Sequence, residues 1–312
     1  VELMVALDKK VDLIEIARGI CHAGHVPYND YIFSSKFLDG AILTWCKRNN
    51  KIAFTTPKNN NATQAEGAFV KPPKPGLYKY CYDLDLESEY PNNIKTLNIS
   101  PETKWGKVLN YNLDAFISNI DCDWVVTTNK IKSVTDSFDT TEEKHEFNNK
   151  ELREFLLENR LSISSAGVIY DLKTQGVIPI ILTMWGDVRT EYRRTAKQHH
   201  EDGDYVNYQY YDRKQLVQKI LLNSLYGVLL LPSFRFYDKD NGESVTLTGQ
   251  SLVQWSAKAG NIYYQKEMKL AKPIDYCIYS DTDSVAGESL VETETETISI
   301  ANLFDRFKST NH

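Results

Sequence analysis

The sequence contains no long apolar run, and its cysteines are few and scattered. No run of eighteen apolar residues occurs in its 312 residues, so no membrane-spanning helix is predicted. The five cysteines are an odd number at irregular spacing, which fits a reducing compartment better than a disulfide framework. The chain starts at Val1 rather than Met and has no signal-peptide pattern, so we expect a piece of a longer protein.

Basic residues are also fewer than acidic ones. The chain carries 36 lysines and arginines against 42 aspartates and glutamates, which gives a net charge of −6. This balance argues against a general nucleic-acid coat, although it is compatible with a local cationic stripe. A hydrophobic fraction of 42% and a charged fraction of 25% are typical of a globular chain long enough for two subdomains.

The hydrophobic periodicity predicts a mixture of helices and strands. Apolar residues at helical spacing predict helices over residues 9–24, 35–48, 88–98, 180–198, 206–226 and 248–269. Strands are predicted over residues 77–86, in a hairpin over 162–172 and in a strand that ends at Tyr279. Polar composition predicts a surface link over 56–66 and an exposed loop over 136–149. Because the elements lack a regular βαβ alternation, we predict an α+β fold.

Two aspartates stand one residue apart in "CIYSDTDSVAG", residues 277–287. Asp281 and Asp283 are either the solvated tip of a β-hairpin or a divalent-metal site on a turn between two strands. Asp85 ends the strand "LYKYCYDLDL" in the same way. Carboxylates that converge from two strand ends can bridge a pair of Mg²⁺ ions about 3.5–4 Å apart, an arrangement suited to phosphoryl transfer.

The two long predicted helices each carry basic or polar residues in a row. Arg189, Arg193 and Lys197 recur at every fourth position of the first helix, and Lys219 and Asn223 are four residues apart on the second. One interpretation is a solvated helix face. The other is a clamp for a triphosphate, because lysine and arginine neutralise phosphate charge.

Three segments resemble motifs A, B and C of the family B DNA polymerases, and they occur in the order of that family. They are "DLESEYPNNIKTLNISPET" (85–103), "KILLNSLYG" (219–227) and "YSDTDS" (279–284). "EGAFVKPP" (66–73) and "GVIPIILT" (176–183) are similar to the segments that enter the palm and the fingers in the tailed-phage replicative branch. The resemblance implies a palm of antiparallel sheet and packed helices, joined to fingers built as a helical hairpin.

The resemblance also implies a division into domains. Residues 1–56 would be the remnant of an N-terminal domain, and residues 57–175 the first part of the palm. Residues 176–232 would be the fingers, and residues 233–312 a truncated second part of the palm. The exonuclease domain and the thumb of the family are not expected within this chain.

For the acids, the resemblance implies a metal site. Asp85 and Asp283 would hold two Mg²⁺ ions, with the carbonyl group of Leu86 as a further ligand. Asp281 matches the first acid of motif C, which acts less directly in this family. Mn²⁺ is a candidate substitute for Mg²⁺.

A nucleotide site is implied as well. The backbone amides of Glu87, Ser88, Glu89 and Tyr90 would meet the β- and γ-phosphates, as in an anion nest at the start of a helix. Tyr90 would lie beneath the incoming sugar and exclude a 2′-hydroxyl by steric contact. The triphosphate would be held by Arg189, Arg193, Lys219 and Asn223.

Three further residues are assigned to the DNA and the nascent base pair. The ring of Tyr226 would pack near that pair, because aromatic side chains stack on bases. Gly227 would let a base pair approach the backbone closely, and Thr282 would lie near the primer end.

Several positions depart from the motifs of the family. Glu89 stands where leucine is usual, which places an acid beside the nucleotide site unless its side chain points away. Asn92 and Asn93 replace a small and an apolar residue. Ser280 replaces the glycine before the catalytic turn, a change that requires ordinary backbone angles there.

The function that follows is template-directed addition of deoxynucleotides to a primer 3′-hydroxyl. Primer–template DNA and dNTPs are the expected partners, no membrane is expected, and a sliding clamp and other replication proteins are candidates in the full-length protein. The expected location is the cytoplasm, that of the host if a phage encodes the chain.

One alternative is a polymerase-like fragment that binds nucleotide or DNA but is inactive without exonuclease and thumb. Another is a primase or reverse transcriptase, which "NSLYG" together with "DTDS" disfavours.

Overall fold

The structure is a computed structural model that falls into two compact units. It describes residues 2–53, 67–78, 81–129, 142–267, 275–282, 284–288, 291–292 and 297–298. Unit 1 comprises residues 1–65 and 90–245, and unit 2 comprises residues 66–89 and 246–312. Within the described residues, no helix is long and apolar enough to cross a membrane. The predicted surface link over 56–66 lies outside them.

Helices make up most of the described chain. They are α1 (Glu2–Val11), α2 (Leu13–Gly24), α3 (Ser34–Arg48), α4 (Glu89–Leu97), α5 (Leu113–Ile117), α6 (Asn149–Glu158), α7 (Val177–Glu201), α8 (Tyr205–Leu229) and α9 (Lys239–Glu267). The strands are β1 (Val70–Lys71), β2 (Cys81–Asp85), β3 (Lys104–Val108), β4 (Asp123–Asn129), β5 (Glu142–Asn148), β6 (Leu161–Ile163), β7 (Val168–Asp171), β8 (Cys277–Asp281), β9 (Ser284–Glu288), β10 (Val291–Glu292) and β11 (Thr297–Ile298).

Every strand pairing is antiparallel, which confirms the predicted α+β class. Unit 1 contains a five-stranded sheet in the order β5-β4-β3-β7-β6. Unit 2 contains a four-stranded sheet in the order β1-β8-β9-β2. Such sheets do not need helical crossovers between neighbouring strands, so helices and strands follow one another without βαβ regularity.

The core of unit 1 lies where the N-terminal helices meet the helical hairpin. Helices α7 and α8 run antiparallel and are joined by only three residues, 202–204. Helices α2 and α3 pack against α8, and α3 also packs against α7. Their shared interior contains the fully buried residues Leu38, Ile42, Ile181, Leu182, Leu221 and Leu225.

Three of the predicted elements differ from those observed. The helix predicted over 9–24 is broken at Asp12, whose left-handed backbone (φ 54°) separates α1 from α2. The loop predicted over 136–149 is wrong where it is described, because 142–148 form strand β5. All of its residues except Phe147 are polar, yet each pairs with β4, so tertiary pairing outweighs composition. Helix α9 begins at Lys239, nine residues before the predicted start.

A loop between α4 and β3 holds the first turn of α7. The side chain of Asn98, buried and in a left-handed conformation (φ 59°), donates to the carbonyl groups of Asp171 (2.6 Å) and Thr174 (2.8 Å). Its Oδ1 accepts from the amide of Gly176 at 2.8 Å. One asparagine therefore satisfies three backbone groups in the segment that enters α7.

The same loop supplies the acceptors for the next two amides. Glu102 Oε1 accepts from the amide of Val177 at 2.5 Å, and Ser100 Oγ accepts from the amide of Ile178 at 3.4 Å. Gly176 precedes them and has no side chain of its own to cap the helix. A Cβ added there would come within 2.6 Å of Ser100 Cβ, so glycine permits this close approach. The loop after α4 thus contains the N-terminal cap of α7.

Replacing Asn98 by alanine is expected to lower the free energy of unfolding by at least about 3 kcal/mol. Three backbone groups lose their partner, and each unsatisfied buried group costs about 1–3 kcal/mol. Urea denaturation followed by tryptophan fluorescence measures the change. Four of the five tryptophans (Trp45, Trp105, Trp124 and Trp185) belong to unit 1 and report on it.

Asn119 provides the matched control. It has the same left-handed backbone (φ 56°) but is exposed, and its side chain makes no hydrogen bond in the described part of the chain. Asn119→Ala should cost only the backbone strain, about 1 kcal/mol. Equal losses for the two variants would contradict a capping role for Asn98.

Candidate active-site residues

Two of the predicted acids lie at one end of the sheet in unit 2. Strands β8 and β9 form a hairpin in which Asp281 pairs with Ser284 across a two-residue turn, and Thr282 in this turn has a positive φ of 55°. Asp85 at the end of β2 pairs with Ser284 from the other side. Asp85 and Asp281 therefore project from the same face, two strands or about 10 Å apart. Asp283 lies outside the described residues.

The carboxylate of Asp281 is engaged by two hydroxyl groups. Tyr279 donates to Oδ2 at 3.0 Å and Thr282 donates to Oδ1 at 2.9 Å. The hydrogen bond to Asp281 raises the pKa of Tyr279, because the phenol is the donor and its proton is held. The orientation of Asp281 is thus fixed within its own hairpin.

The donors at this sheet end are of the kind that Mg²⁺ prefers. Asp85 is exposed at the end of β2, and the next residue, Leu86, packs with Phe69 and Val253 in the small core of unit 2. This packing fixes the backbone around Asp85. Carboxylate and carbonyl oxygens are the hard ligands of Mg²⁺. Among the described residues no group of three acids, histidines or cysteines can hold a metal ion.

Strand β2 leads into α4 through a short turn at Glu87 and Ser88. Ser88 has a positive φ of 50°, a conformation in which successive backbone amides can form an anion-binding nest. Glu89 is only 5% exposed, and a Cβ added to Gly249 would lie 2.7 Å from its Oε1. The carboxylate of Glu89 is therefore packed against α9 rather than exposed beside the predicted phosphate site.

The other departures from the motifs are accommodated locally. Asn93 is buried, and its Nδ2 donates to the carbonyl group of Val245 at 3.5 Å, whereas Asn92 is exposed. Ser280 is buried in β8, where it pairs with Lys71, and it is not among the residues with a positive φ. Serine in place of glycine therefore causes no backbone strain at this position.

In unit 1 the helical hairpin carries the predicted cationic row. Arg189 of α7 donates from Nε to Gln215 Oε1 of α8 at 3.4 Å. Closer to the tip of the hairpin, a cleft of about 280 Å³ is lined by Arg193, Ala196, Lys197, His200, Tyr208, Asp212 and Gln215. Gln215 was not predicted, although it stands four residues before Lys219 and so shares its helical face.

Two cations of the predicted row, Arg193 and Lys219, have no ionic partner among the described residues. In the described part of the chain, no carboxylate lies within 4.0 Å of the Arg193 guanidinium or of Lys219 Nζ, and both side chains are exposed. Lys197, in contrast, forms an ion pair with Glu201 at 3.7 Å. A solvated helix face commonly carries such intrahelical pairs. Arg193 and Lys219 instead keep their full charge available for an anion.

The polar face of α8 continues beyond Lys219. Asn223 is exposed one turn later, and Gly227 is exposed one turn after that. A Cβ added to Gly227 would meet no atom within 4 Å, so packing within the protein does not require glycine there. Open space at this point leaves the backbone accessible to an external molecule.

The tyrosines of motifs A and B lie in contact. The ring centroids of Tyr90 on α4 and Tyr226 on α8 are 4.3 Å apart, with an angle of 38° between the planes. Both side chains are partly buried against the core of unit 1. The structure thus brings together two of the predicted nucleotide-site residues that are 136 positions apart in the sequence.

Comparison with known proteins identifies the family. The model for "DNA polymerase family B" matches residues 34–311. The DNA-directed DNA polymerase of Escherichia phage RB69 is 25% identical over 99% of this chain and 35% of its own length. That of Enterobacteria phage T4 is 26% identical over 100% of this chain and 35% of its own length. The chain thus spans about a third of these phage relatives.

A solved structure supports the same conclusion at the level of the fold. The family B DNA polymerase from the archaeon Pyrobaculum calidifontis matches with a TM-score of 0.57 and 20% sequence identity. The match covers 98% of this chain and 32% of the archaeal one. The family model matches most of the chain and the phage enzymes match it over nearly its whole length, so the chain belongs to the family B DNA polymerases and is of phage type.

Proposed function

We propose that this chain carries the nucleotide-adding centre of a template-directed DNA polymerase. The observation that carries the proposal is the exposed face of α8, where Lys219 has no carboxylate partner in the described chain and Asn223 and Gly227 are open. The Tyr90–Tyr226 pair lies at the end of this face. An unpaired cation, an amide, an open backbone and aromatic rings together suit a nucleoside triphosphate.

In this proposal the hairpin neutralises the triphosphate. Arg189, Arg193 and Lys219 contact phosphate oxygens, and Asn223 adds a hydrogen bond. The amides of the turn at residues 87–90 bind the terminal phosphates as a nest at the start of α4. Arginine and lysine contacts to phosphate are charge-assisted and therefore stronger than neutral hydrogen bonds.

The acids at the sheet end of unit 2 are proposed to hold the metal. Asp85 and Asp283, with the carbonyl group of Leu86, would hold two Mg²⁺ ions, for which Mn²⁺ can substitute. Bound there, the ions supply activation of the primer 3′-hydroxyl and stabilisation of the leaving oxygens. Asp281, already bound by Tyr279 and Thr282, shapes the hairpin turn rather than serving as the main ligand.

The tyrosine pair is proposed to select the sugar. The ring of Tyr226 packs against that of Tyr90, with the two centroids 4.3 Å apart. This contact limits how far Tyr90 can move. A ring held in this way beneath the sugar clashes with a 2′-hydroxyl, so deoxynucleotides are accepted and ribonucleotides are rejected. Gly227 and Thr282 are the proposed contacts to the base pair and the primer end.

The wider assignments follow from the family. Primer–template DNA and dNTPs are the proposed partners of this chain, and a sliding clamp and other replication proteins are proposed for a full-length protein. The proposed location is the cytoplasm, that of the host for a phage-encoded chain. The alternative is a fragment that binds nucleotide without catalysing its transfer. The observation that favours it is that the chain spans only 35% of the length of its phage relatives.

The metal assignment predicts that Asp85→Asn and Asp283→Asn each slow single-nucleotide primer extension at least about a hundredfold. Removing a metal ligand takes away several kcal/mol of transition-state stabilisation, and each 1.36 kcal/mol is tenfold in rate. Asp83→Asn is the control, since Asp83 is an exposed acid of the same strand two residues before Asp85. Wild-type rates for Asp283→Asn would contradict the assignment, and an inactive wild-type chain that binds dNTP would select the alternative.

The clamp predicts that Lys219→Gln weakens dATP binding about tenfold in the presence of Mg²⁺. Loss of one charge-assisted phosphate contact of about 1.4 kcal/mol corresponds to one decade in affinity. Calorimetric titration of the chain measures the change without any DNA. Arg194→Gln, an exposed arginine beside Arg193, should bind dATP like the wild type. Equal affinities of wild type and Lys219→Gln would exclude the clamp.

The sugar assignment predicts that Tyr90→Ala reduces discrimination against ribonucleotides. The wild-type chain should bind dATP at least about ten times more tightly than ATP, and the variant should bind both within about threefold, because the clash is removed. Tyr226→Phe keeps the supporting ring and should preserve the wild-type ratio. An unchanged ratio in Tyr90→Ala, with dATP still bound, would show that Tyr90 does not sense the sugar.

A further inference from the structure

A second cationic surface lies on another side of α8, where this helix packs against α2. The contact between the helices is close, since a Cβ added to Gly19 would come within 2.8 Å of Val217 Cγ2. Around it opens a pocket of about 610 Å³, a volume typical of ligand sites. Its lining includes Arg18, His22, Tyr28, Tyr210, Arg213 and Lys214.

The charge of this pocket is opposite to that of the chain. Three cations line it, together with a single carboxylate, Glu15. Glu15 pairs with Arg18 at 2.8 Å, and Arg213 lies 3.6 Å from Asp12. The described residues place no carboxylate within 4.0 Å of Lys214 Nζ. A net positive pocket on a protein of net charge −6 is a site for an anion.

Aromatic rings hold Lys214 in position and offer a stacking surface. Lys214 Nζ lies over the ring of Tyr210 at 4.4 Å and over that of Tyr192 at 5.3 Å, which orients the ammonium group without neutralising it. Tyr28, which also lines the pocket, is 47% exposed although it is a large aromatic residue. A half-exposed ring beside fixed cations is the combination that binds a base and its phosphate.

The pocket is separate from the proposed dNTP site. Residues 210, 213, 214 and 217 follow one another at spacings of three and four, as on a single helix face. Lys214 and Lys219 are five residues apart, which is about 140° around an α-helix. One helix thus presents two lysines, neither with a carboxylate partner among the described residues, to two different sides of unit 1.

We propose that the pocket between α2 and α8 binds one nucleotide unit of single-stranded DNA, with the base on Tyr28 and the phosphate at Arg213 and Lys214. The choice of a DNA strand rests on the proposed polymerase function. The pocket itself requires only an aromatic group joined to a phosphate, a chemistry that a free nucleotide shares. Its rim residues Arg18, His22 and Tyr28 are exposed, so a continuous strand can pass across it.

Fluorescence anisotropy of the 312-residue chain with 5′-labelled oligo(dT) at low salt tests the proposal. Lys214→Gln should weaken binding about tenfold and reduce the slope of log affinity against log salt by about 0.7, the value for one lost phosphate on a single strand. Tyr28→Ala should also weaken binding, whereas Tyr28→Phe should restore it because the ring is retained. Lys150→Gln, an exposed lysine on α6, is the control and should bind like the wild type. Thermal midpoints within a degree or two of wild type establish that the variants are folded.

Competition identifies the ligand. Unlabelled oligo(dT) should displace the labelled oligonucleotide at a far lower concentration of anionic groups than dTMP or polyglutamate. Equal displacement by dTMP would assign the pocket to a free nucleotide, and equal displacement by polyglutamate would show only a general anion surface. Either result overturns the proposal, as does wild-type affinity in Lys214→Gln. The proposed function is tested by a different measurement. It fails if Lys219→Gln binds dATP as tightly as the wild type.

Discussion

The first turn of α7 is held by hydrogen bonds from a loop outside the helix, and the placement of this helix depends on them. The amides of Gly176, Val177 and Ile178 donate to Asn98, Glu102 and Ser100. Amides at the start of a helix have no partner within it, so such acceptors both stabilise the helix and fix its direction. Since the loop directly follows α4, which carries Tyr90, the same few hydrogen bonds connect the helix of Tyr90 to the helix of Arg189 and Arg193.

Charge is distributed around α8 in a way that the total composition conceals. The chain is acidic overall, yet Lys214 and Lys219 both lack a carboxylate partner within the described residues and face different sides of the helix. Neither lysine gains stability from an ion pair within the described residues, so both ammonium groups are available to an external anion. The triphosphate site and the strand-binding pocket proposed above would therefore lie on different sides of one helix.

The sequence predicted the parts of the fold that have strong local signals. The long helices α7 and α8 and the hairpin of β6 and β7 follow from periodicity, and the acids at the sheet end follow from motifs A and C. Strand β5 could not be predicted from its own polar residues, because its structure comes from pairing with β4. The end of β5 and the start of α6 do have a local signal, because Asn148 and Glu151 form a capping box at the start of this helix. The cap provided by Asn98 and the contact between Tyr90 and Tyr226 join residues remote in sequence, which no spacing rule reveals.

Amide hydrogen exchange at the start of α7 tests the central claim most directly, namely that motif A holds this helix in place. Val206, the second residue of α8, occupies the same helical position as Ile178 but has no side-chain acceptor among the described residues, and so provides an internal reference. Residue-resolved exchange should show the amides of Val177 and Ile178 protected like those of the buried strand β7, and Val206 exchanging rapidly. Exchange of Val177 and Ile178 as fast as that of Val206 would contradict the claim.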